Sequence, residues 1–329
     1  MLKLTDLRAY YKTPKGEIQA VDGVSFDIRE NEILGIAGES GCGKSTLLKL
    51  LYGYLQPPLR IVSGSFEAEM QGDGGKVRLG IEDLRKHWWK FISYVPQGSM
   101  SVLNPVVRIE NQFFDAVPKD YEIQDRTIIR DRVAGYLKEL ELPVEVLKAY
   151  PHQLSGGMKQ RILVALGTFL HPEIVLADEP TTALDVVVQK GILLMLTELQ
   201  KRMKNTLVIV SHDLGVHYQV THRLAIMYAG KIVELGPTEA IFSRPLHPYT
   251  QMLIQALPRV GDQSVRSGIS GRPPSLLRPP EGCRFAARCP FVMDRCRTIE
   301  PAFVEIEPDH FVACHLHDAD IALSKGAAL

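Results

Sequence analysis

A glycine-rich segment constrains the fold of this chain more than any other feature. It runs from Gly38 to Ser45 as GESGCGKS and matches the phosphate-binding pattern G-x-x-x-x-G-K-[ST]. A buried-type strand, Ile33–Ala37, precedes it, and a helical segment, Thr46–Leu51, follows it. In this strand–loop–helix context, backbone N–H groups and the helix N-terminus can all point at a polyphosphate. The segment therefore predicts a nucleotide site.

The residues of this loop have distinct expected roles. Lys44 brings a point charge to the β- and γ-phosphates, and the hydroxyl of Ser45 can bind Mg²⁺. Cys42 stands at a position that contributes only its backbone. The predicted nucleotide contacts are Gly38, Ser40, Gly41, Cys42, Gly43, Lys44, Ser45 and Thr46.

The surrounding sequence indicates an α/β fold. Up to about residue 235, short apolar strands alternate with helical patterns, as in a parallel sheet flanked by helices. An antiparallel edge layer is expected before Ile33. Residues 105–150 lie between two strands and fit an inserted helical subdomain. The further strand candidates are Phe91–Val95, Ile174–Ala177, Leu207–Val210 and Leu224–Tyr228, and the helix candidates are Arg161–Leu170, Val187–Met203 and Tyr249–Ala256.

Two carboxylates end the strand Ile174–Ala177. Asp178 at the strand tip suits the coordination sphere of Mg²⁺. Glu179, one residue later, faces the other way and can polarise a water for in-line attack on the γ-phosphorus. Two acids after a strand are commonplace, but beside a phosphate loop they predict hydrolysis.

Composition excludes some classes of protein. Of 329 residues, 38 are Lys or Arg and 38 are Asp or Glu, so the chain has no overall basic footprint for nucleic acid. The longest apolar run, Ile162–Leu170, has nine residues, and we expect no membrane-spanning segment. The N-terminus has no long apolar stretch, so a signal peptide is not expected.

The C-terminal part of the chain differs from the rest in amino-acid composition. A Gly/Ser/Arg/Pro stretch, Gly261–Pro280, reads as a linker or extended arm. Four of the five cysteines follow it, separated by five, six and seventeen residues. Without an export signal, such a cluster points to metal before disulfide, and four thiolates suit zinc or a [4Fe–4S] cluster. Free or disulfide-bonded thiols are the remaining alternative. These cysteines are Cys283, Cys289, Cys296 and Cys314.

A second glycine-rich segment, Leu154–Arg161, reads LSGGMKQR. Ser155 is a natural N-cap, and Gly156 and Gly157 leave the amide end of the next helix bare. Since the chain already has a phosphate loop, this helix end is expected to serve the nucleotide of another subunit.

This segment resembles the signature motif of ATP-binding cassette proteins, and the resemblance extends from residue 1 to about 235. Gln97 resembles the Q-loop glutamine, Ala183–Asp185 the D-loop, and His212 the switch histidine. Tyr11 resembles the aromatic residue that stacks on adenine, with Tyr10 as its rival.

The resemblance implies a P-loop NTPase (RecA-like) core with an antiparallel β subdomain and a helical subdomain at about 97–160. Two cassettes would pack head to tail around two ATP molecules, and Ser155 and Gly157 would contact the γ-phosphate held by the partner's phosphate loop. Gly156 and Asp185 would also bind nucleotide. Glu179, His212 and Gln97 would be catalytic. Mg²⁺ would be held by Ser45, Gln97 and Asp178.

The segment His247–Thr250 and the cysteines add a second resemblance, to ATPase subunits of the dipeptide/oligopeptide (and nickel) importer family. It implies a domain boundary near 235, with residues 236–329 as a cysteine-rich extension holding a [4Fe–4S] cluster. It also implies a peripheral subunit at the cytoplasmic face of the membrane that powers peptide import. Its partners would be two transmembrane permeases, an extracytoplasmic substrate-binding protein and a second, paralogous ATPase.

Several alternatives stay open at this point. The cargo could be an oligosaccharide or nickel rather than a peptide. An exporter motor fits the cassette, although the extension argues for import. A non-transport ATPase acting on ribosomes or DNA, or a redox-sensing switch built on the cysteines, belongs to another class.

Overall fold

The computed structural model describes residues 1–72, 75–98, 102–182, 184–257 and 268–318. The chain divides into two compact units. The first unit comprises Met1–Ile28, Leu34–Ala68 and Ser211–Leu329, and the second comprises Arg29–Ile33 and Glu69–Val210. Among the described residues, no helix combines the length and apolar character needed to cross a membrane.

Twelve strands and nine α-helices lie in the described ranges. The strands are β1 (Leu2–Thr13), β2 (Gly16–Ile28), β3 (Ile33–Ala37), β4 (Leu59–Gly72), β5 (Gly75–Leu79), β6 (Ile92–Val95), β7 (Ile174–Asp178), β8 (Thr206–Val210), β9 (Arg223–Tyr228), β10 (Lys231–Pro237), β11 (Val304–Glu307) and β12 (His310–Val312). The helices are α1 (Lys44–Leu51), α2 (Ile109–Ala116), α3 (Arg126–Glu139), α4 (Gly156–Thr168), α5 (Val186–Met203), α6 (Leu214–Val220), α7 (Thr238–Ser243), α8 (Pro248–Gln255) and α9 (Asp294–Thr298).

The first unit combines an antiparallel layer with part of a mixed sheet. Strand β1 pairs antiparallel with both β2 and β4, which confirms the expected edge layer. Strand β3 runs parallel to β9. From β9 the sheet continues in the order β10, β12, β11, and each of these neighbouring pairs is antiparallel. All five residues of β3 are buried, as expected of an apolar strand covered on both faces. The phosphate-binding loop and α1 follow directly from its carboxyl end.

The second unit holds three parallel strands in the order β6, β7, β8. Helices α2 and α3 and short 3₁₀ turns lie between β6 and β7 in the chain, where helical structure was expected. Asp125 caps α3, since its carboxylate accepts the N–H groups of Thr127 and Ile128. The predicted strands and helices are confirmed with shifts of a few residues at most, except that Arg161–Leu170 begins earlier, at Gly156, and ends at Thr168.

The cysteine-bearing C-terminal segment is integrated into the first unit. Strand β12 extends the sheet by pairing with β10. Phe285 is fully buried and packs against Tyr228 on β9 and Tyr249 on α8, with ring centroids 5.2 and 5.3 Å away. The described part of the expected linker, residues 268–280, has no helix or strand, and residues 261–267 lie outside the described ranges. The segment therefore shares a core with the rest of its unit.

A buried carboxylate also joins this segment to β10. Glu234 is completely buried and accepts hydrogen bonds from the N–H groups of Leu246 and His247, at 2.7 and 2.9 Å. The ring of His310 on β12 lies 2.8 Å from the same carboxylate. Three partners are consistent with the rule that a buried carboxylate must be hydrogen-bonded.

Two buried histidines should make stability depend on pH. Burial lowers the pKa of His217 and of His247 from 6.5 to about 4. Between these values the unfolded chain binds protons that the folded chain does not, so the free energy of unfolding decreases as pH falls from 6.5 to 4. Each histidine contributes a slope of about 1.4 kcal/mol per pH unit. Chemical denaturation at several pH values measures this slope.

The substitution His247→Asn isolates one of the two contributions. Asn can still cap α8, where His247 Nδ1 accepts the N–H of Tyr249, but it does not titrate. We expect a shallower pH dependence in this variant and no change in slope for the control His152→Asn, whose side chain is exposed. Equal slopes in all three proteins would contradict the assignment.

Candidate functional site

The phosphate-binding loop carries its lysine in a buried position in the first unit. Lys44 is 6% exposed, and its Nζ donates to the backbone oxygens of Gly38 at 2.7 Å and Glu39 at 3.0 Å. The thiol of Cys42 is also buried, and burial raises its pKa, so it is neutral at pH 7. That Cys42 contributes only its backbone to the nucleotide stays a prediction.

Glycines are required where this loop approaches other backbone. Gly38 has φ +153°, and an added Cβ would lie 2.1 Å from the carbonyl oxygen of Met227. Gly43 has φ +114°, and its Cβ would lie 2.1 Å from the carbonyl oxygen of Ala20. Left-handed backbone and the close contact both exclude a side chain there. The glycines of the pattern therefore fix the loop against β2 and β9 as well as leaving room for phosphate.

The adenine-stacking candidates occupy different environments. The hydroxyl of Tyr11 lies 3.2 Å from Oγ1 of Thr46, just after the phosphate-binding loop, and its side chain is half-buried. Tyr10 is buried, and its hydroxyl donates to Asp22 at 2.6 Å. This favours Tyr11 over Tyr10 as the aromatic partner of a base. His212 is exposed and follows β8 by two residues, at the start of the chain leading to α6.

The two carboxylates lie at the end of β7 in the second unit. Asp178 is buried and accepts a hydrogen bond from the hydroxyl of Tyr94 at 2.8 Å. Glu179 has φ +45°, which is strained for a residue with a side chain. Its carboxylate accepts from Gln97 Nε2 at 2.8 Å and from Thr182 Oγ1 at 2.7 Å. The structure thus brings the predicted Gln97 and Glu179 together.

The second glycine-rich segment begins α4 in the same unit. Ser155 is its N-cap, and the hydroxyl accepts the N–H of Met158 at 3.3 Å. A Cβ on Gly157 would lie 2.9 Å from Val188 of α5, so this glycine also permits helix packing. Asp185 caps α5 by accepting the N–H groups of two residues, Val187 and Val188. Ala183 of the predicted D-loop lies outside the described residues.

Sequence reasoning missed three residues that contact either a predicted carboxylate or the phosphate-binding loop. Tyr94 contacts Asp178, and Thr182 contacts Glu179, although neither had an assigned role. Tyr249 belongs to the C-terminal segment, and its hydroxyl accepts the N–H of Glu39 in the phosphate-binding loop at 2.9 Å. The Tyr94 partnership is encoded in strand order, because β6 pairs in parallel with β7, but a single strand sequence does not reveal its neighbour.

The prediction of an iron–sulfur cluster is wrong. Cys283, Cys289, Cys296 and Cys314 line one small pocket, but no three His, Cys, Asp or Glu side chains in the described ranges are placed to hold a metal ion. All are free thiols, and burial raises the pKa of Cys283 to about 11 and of Cys314 to about 12. The zinc alternative meets the same obstacle. The segment is held by apolar burial instead, because Phe285 joins it to the core of the first unit.

Two family profiles match the chain. The one described as ABC transporter matches residues 21–182, which include the phosphate-binding loop, both carboxylates and the Ser155–Gly157 helix start. The one described as oligopeptide/dipeptide transporter, C-terminal region, matches residues 233–296, which include most of β10, all of α8 and three of the four clustered cysteines.

Individual proteins resemble the chain over almost its whole length. A dipeptide transport ATP-binding protein, DppD, of Caldanaerobacter subterraneus subsp. tengcongensis is 41% identical, with 97% of each chain covered. The DppD of Escherichia coli (strain K12) is 34% identical, with 96% of each covered. Among solved structures, a dimeric bacterial ABC transporter cassette is 29% identical with a TM-score of 0.62, covering 72% of this chain and 99% of that one.

Proposed function

This chain belongs to the ATP-binding cassette transporter family and is an ATPase of that type, and from this premise we propose that it powers the import of peptides. The observation that carries the proposal is the similarity to dipeptide transport ATP-binding proteins, which continues through the C-terminal region. Oligosaccharide or nickel import would use the same motor, but the names of the relatives support peptide.

The proposed reaction uses the residues described above. Backbone amides of Gly41–Lys44 bind the triphosphate, and Lys44 contacts its terminal phosphates. Ser45, Asp178 and Gln97 would hold Mg²⁺, which would neutralise charge on the phosphate oxygens. Glu179 polarises the attacking water, and His212 holds the γ-phosphate. Tyr11 stacks on adenine. The residue pairs Tyr94–Asp178 and Thr182–Glu179 support this by orienting both carboxylates.

The proposed assembly extends beyond this chain. Ser155 and Gly157 complete the nucleotide site of a second cassette, a paralogue in our proposal. Gly156 and Asp185 also bind nucleotide. A solved dimer of a related cassette bound to ADP and Pi supports such pairing. Two permeases and a substrate-binding protein complete the importer, with this subunit peripheral at the cytoplasmic face. We place the boundary between cassette and extension at residue 235, next to the start of the C-terminal match.

The experiment is genetic complementation with a transport assay. Cells lacking the gene should lose uptake of radiolabelled dipeptide, and wild-type protein should restore it. Lys44→Ala should fail to restore it, because the charge at the terminal phosphates is lost. The matched control is Lys49→Ala, on the last turn of the same helix. Unchanged dipeptide uptake in the deletion strain, with lost oligosaccharide or nickel uptake, would overturn the peptide assignment.

A further inference from the structure

Arg288 of the C-terminal segment makes an unusually complete set of contacts. Its two terminal nitrogens donate to the two carboxylate oxygens of Glu39, both at 2.9 Å. The remaining N–H groups donate to the Tyr228 hydroxyl at 3.2 Å and to the backbone oxygens of Ile269 and Ser270, both at 3.0 Å. All five guanidinium donors therefore have acceptors. The side chain of Arg288 is 5% exposed, so this bidentate pair is largely shielded from water.

Glu39 lies within the phosphate-binding loop, one residue after Gly38. Its backbone oxygen accepts the hydrogen bond from Lys44 Nζ at 3.0 Å, and its N–H donates to Tyr249 at 2.9 Å. The C-terminal segment thus contacts Glu39 through both its side chain and its backbone. That residue in turn holds the lysine of the loop.

We propose that Arg288 is a positioning residue for ATP binding, which fixes Glu39 and neutralises its carboxylate beside the triphosphate. The inference rests on the proposed nucleotide site, and it adds a role for a residue outside the cassette motifs. Arg288 does not itself touch nucleotide in this proposal; it acts through Glu39 and Lys44.

The electrostatic reason is direct. A triphosphate is strongly anionic, and a carboxylate in the same loop repels it unless a cation is paired with that carboxylate. The planar guanidinium can pair with both carboxylate oxygens while also reaching Ile269 and Ser270, which a lysine ammonium cannot reproduce. Loss of Arg288 leaves a partly buried, unpaired negative charge close to the phosphates.

The test compares Arg288→Gln, Glu39→Gln and the double variant in the full-length chain. Binding of the non-hydrolysable ATP analogue AMP-PNP with Mg²⁺ is measured by calorimetry, and KM and kcat for ATP are measured by phosphate release. We expect Arg288→Gln to weaken binding and raise KM by about tenfold, with kcat at saturating ATP changed less than about twofold. Glu39→Gln in the same chain should restore binding to within about threefold of wild type.

The KM readout separates the inference from a purely structural role, because a fraction of unfolded chain lowers the apparent kcat and leaves the KM of the folded chain unchanged. Glu39→Gln alone should bind AMP-PNP within about threefold of wild type and keeps the inference testable if Arg288→Gln does not fold. The matched control is Arg244→Gln. It breaks another bidentate arginine–carboxylate pair of the same unit, in which both hydrogen bonds from Arg244 to Glu307 are 2.7 Å long.

Two results would overturn the inference: wild-type affinity in folded Arg288→Gln, or a tenfold loss in Glu39→Gln alone. A further contradiction would be a double variant weaker than Arg288→Gln. Failure of the wild-type chain to bind AMP-PNP would instead overturn the proposed nucleotide site, so the two failures are distinguishable.

Discussion

Replacing Glu179 by Gln should lower the rate of ATP turnover about 10²- to 10⁴-fold and leave the affinity for ATP within a few-fold of wild type. The amide has nearly the shape of the carboxylate and can still accept the hydrogen bond from Thr182. It cannot take the proton of an attacking water. The measurement is phosphate release at saturating ATP, together with calorimetric binding of Mg²⁺ and ATP.

The matched control is Glu198→Gln on α5, where the side chain is exposed. It makes the same chemical change in the second unit and should leave turnover unaltered. Wild-type turnover in Glu179→Gln would remove this residue from the role of base. A loss of ATP binding as large as the loss of turnover would show that the carboxylate supports the fold of the site instead.

Replacing Gly43 by Ala should weaken ATP binding by at least about a hundredfold. The added methyl would stand 2.1 Å from the Ala20 carbonyl oxygen, at φ +114°, so the loop backbone must move. Movement of even two amides away from the phosphates removes charge-assisted hydrogen bonds worth about 1.5–3 kcal/mol each. Calorimetry with AMP-PNP and Mg²⁺ measures the loss, and circular dichroism verifies that the variant is folded.

Gly135→Ala is the control for this substitution. Gly135 lies inside α3, where an added Cβ meets nothing within 4 Å. It should leave ATP binding unchanged and raise the free energy of unfolding by about 0.5–1 kcal/mol, because alanine loses less conformational entropy in a helix. Equal ATP affinities for the two variants would contradict the close approach at Gly43.

Structural features that depend on neighbouring residues could be predicted from the sequence. The strand before Gly38, the helix after Lys44 and the Ser155 cap each follow from local patterns, and the structure has all three. The pairing of Gln97 with Glu179 was not predicted, because 82 positions separate the two residues and motif order identifies each of them only as a separate candidate.

Other features depend on how distant segments meet. No pattern around Glu179 signals its positive φ, and none around Tyr94 signals Asp178 as its partner. The cysteine spacing suggested a metal centre, but burial of Phe285 and pairing of β12 with β10 already give that segment its cohesion. Spacing counts residues along the chain and cannot report how close sulfur atoms come in space.

The pairing of Glu39 with Arg288 has a consequence for synthesis. The two residues are 249 positions apart, so the phosphate-binding loop is translated long before Arg288 leaves the ribosome. Nascent chains pass through a period in which this loop exists without that contact. The final arrangement of the loop is therefore among the last parts of the molecule to be established, and chains released prematurely, before residue 288, never acquire it.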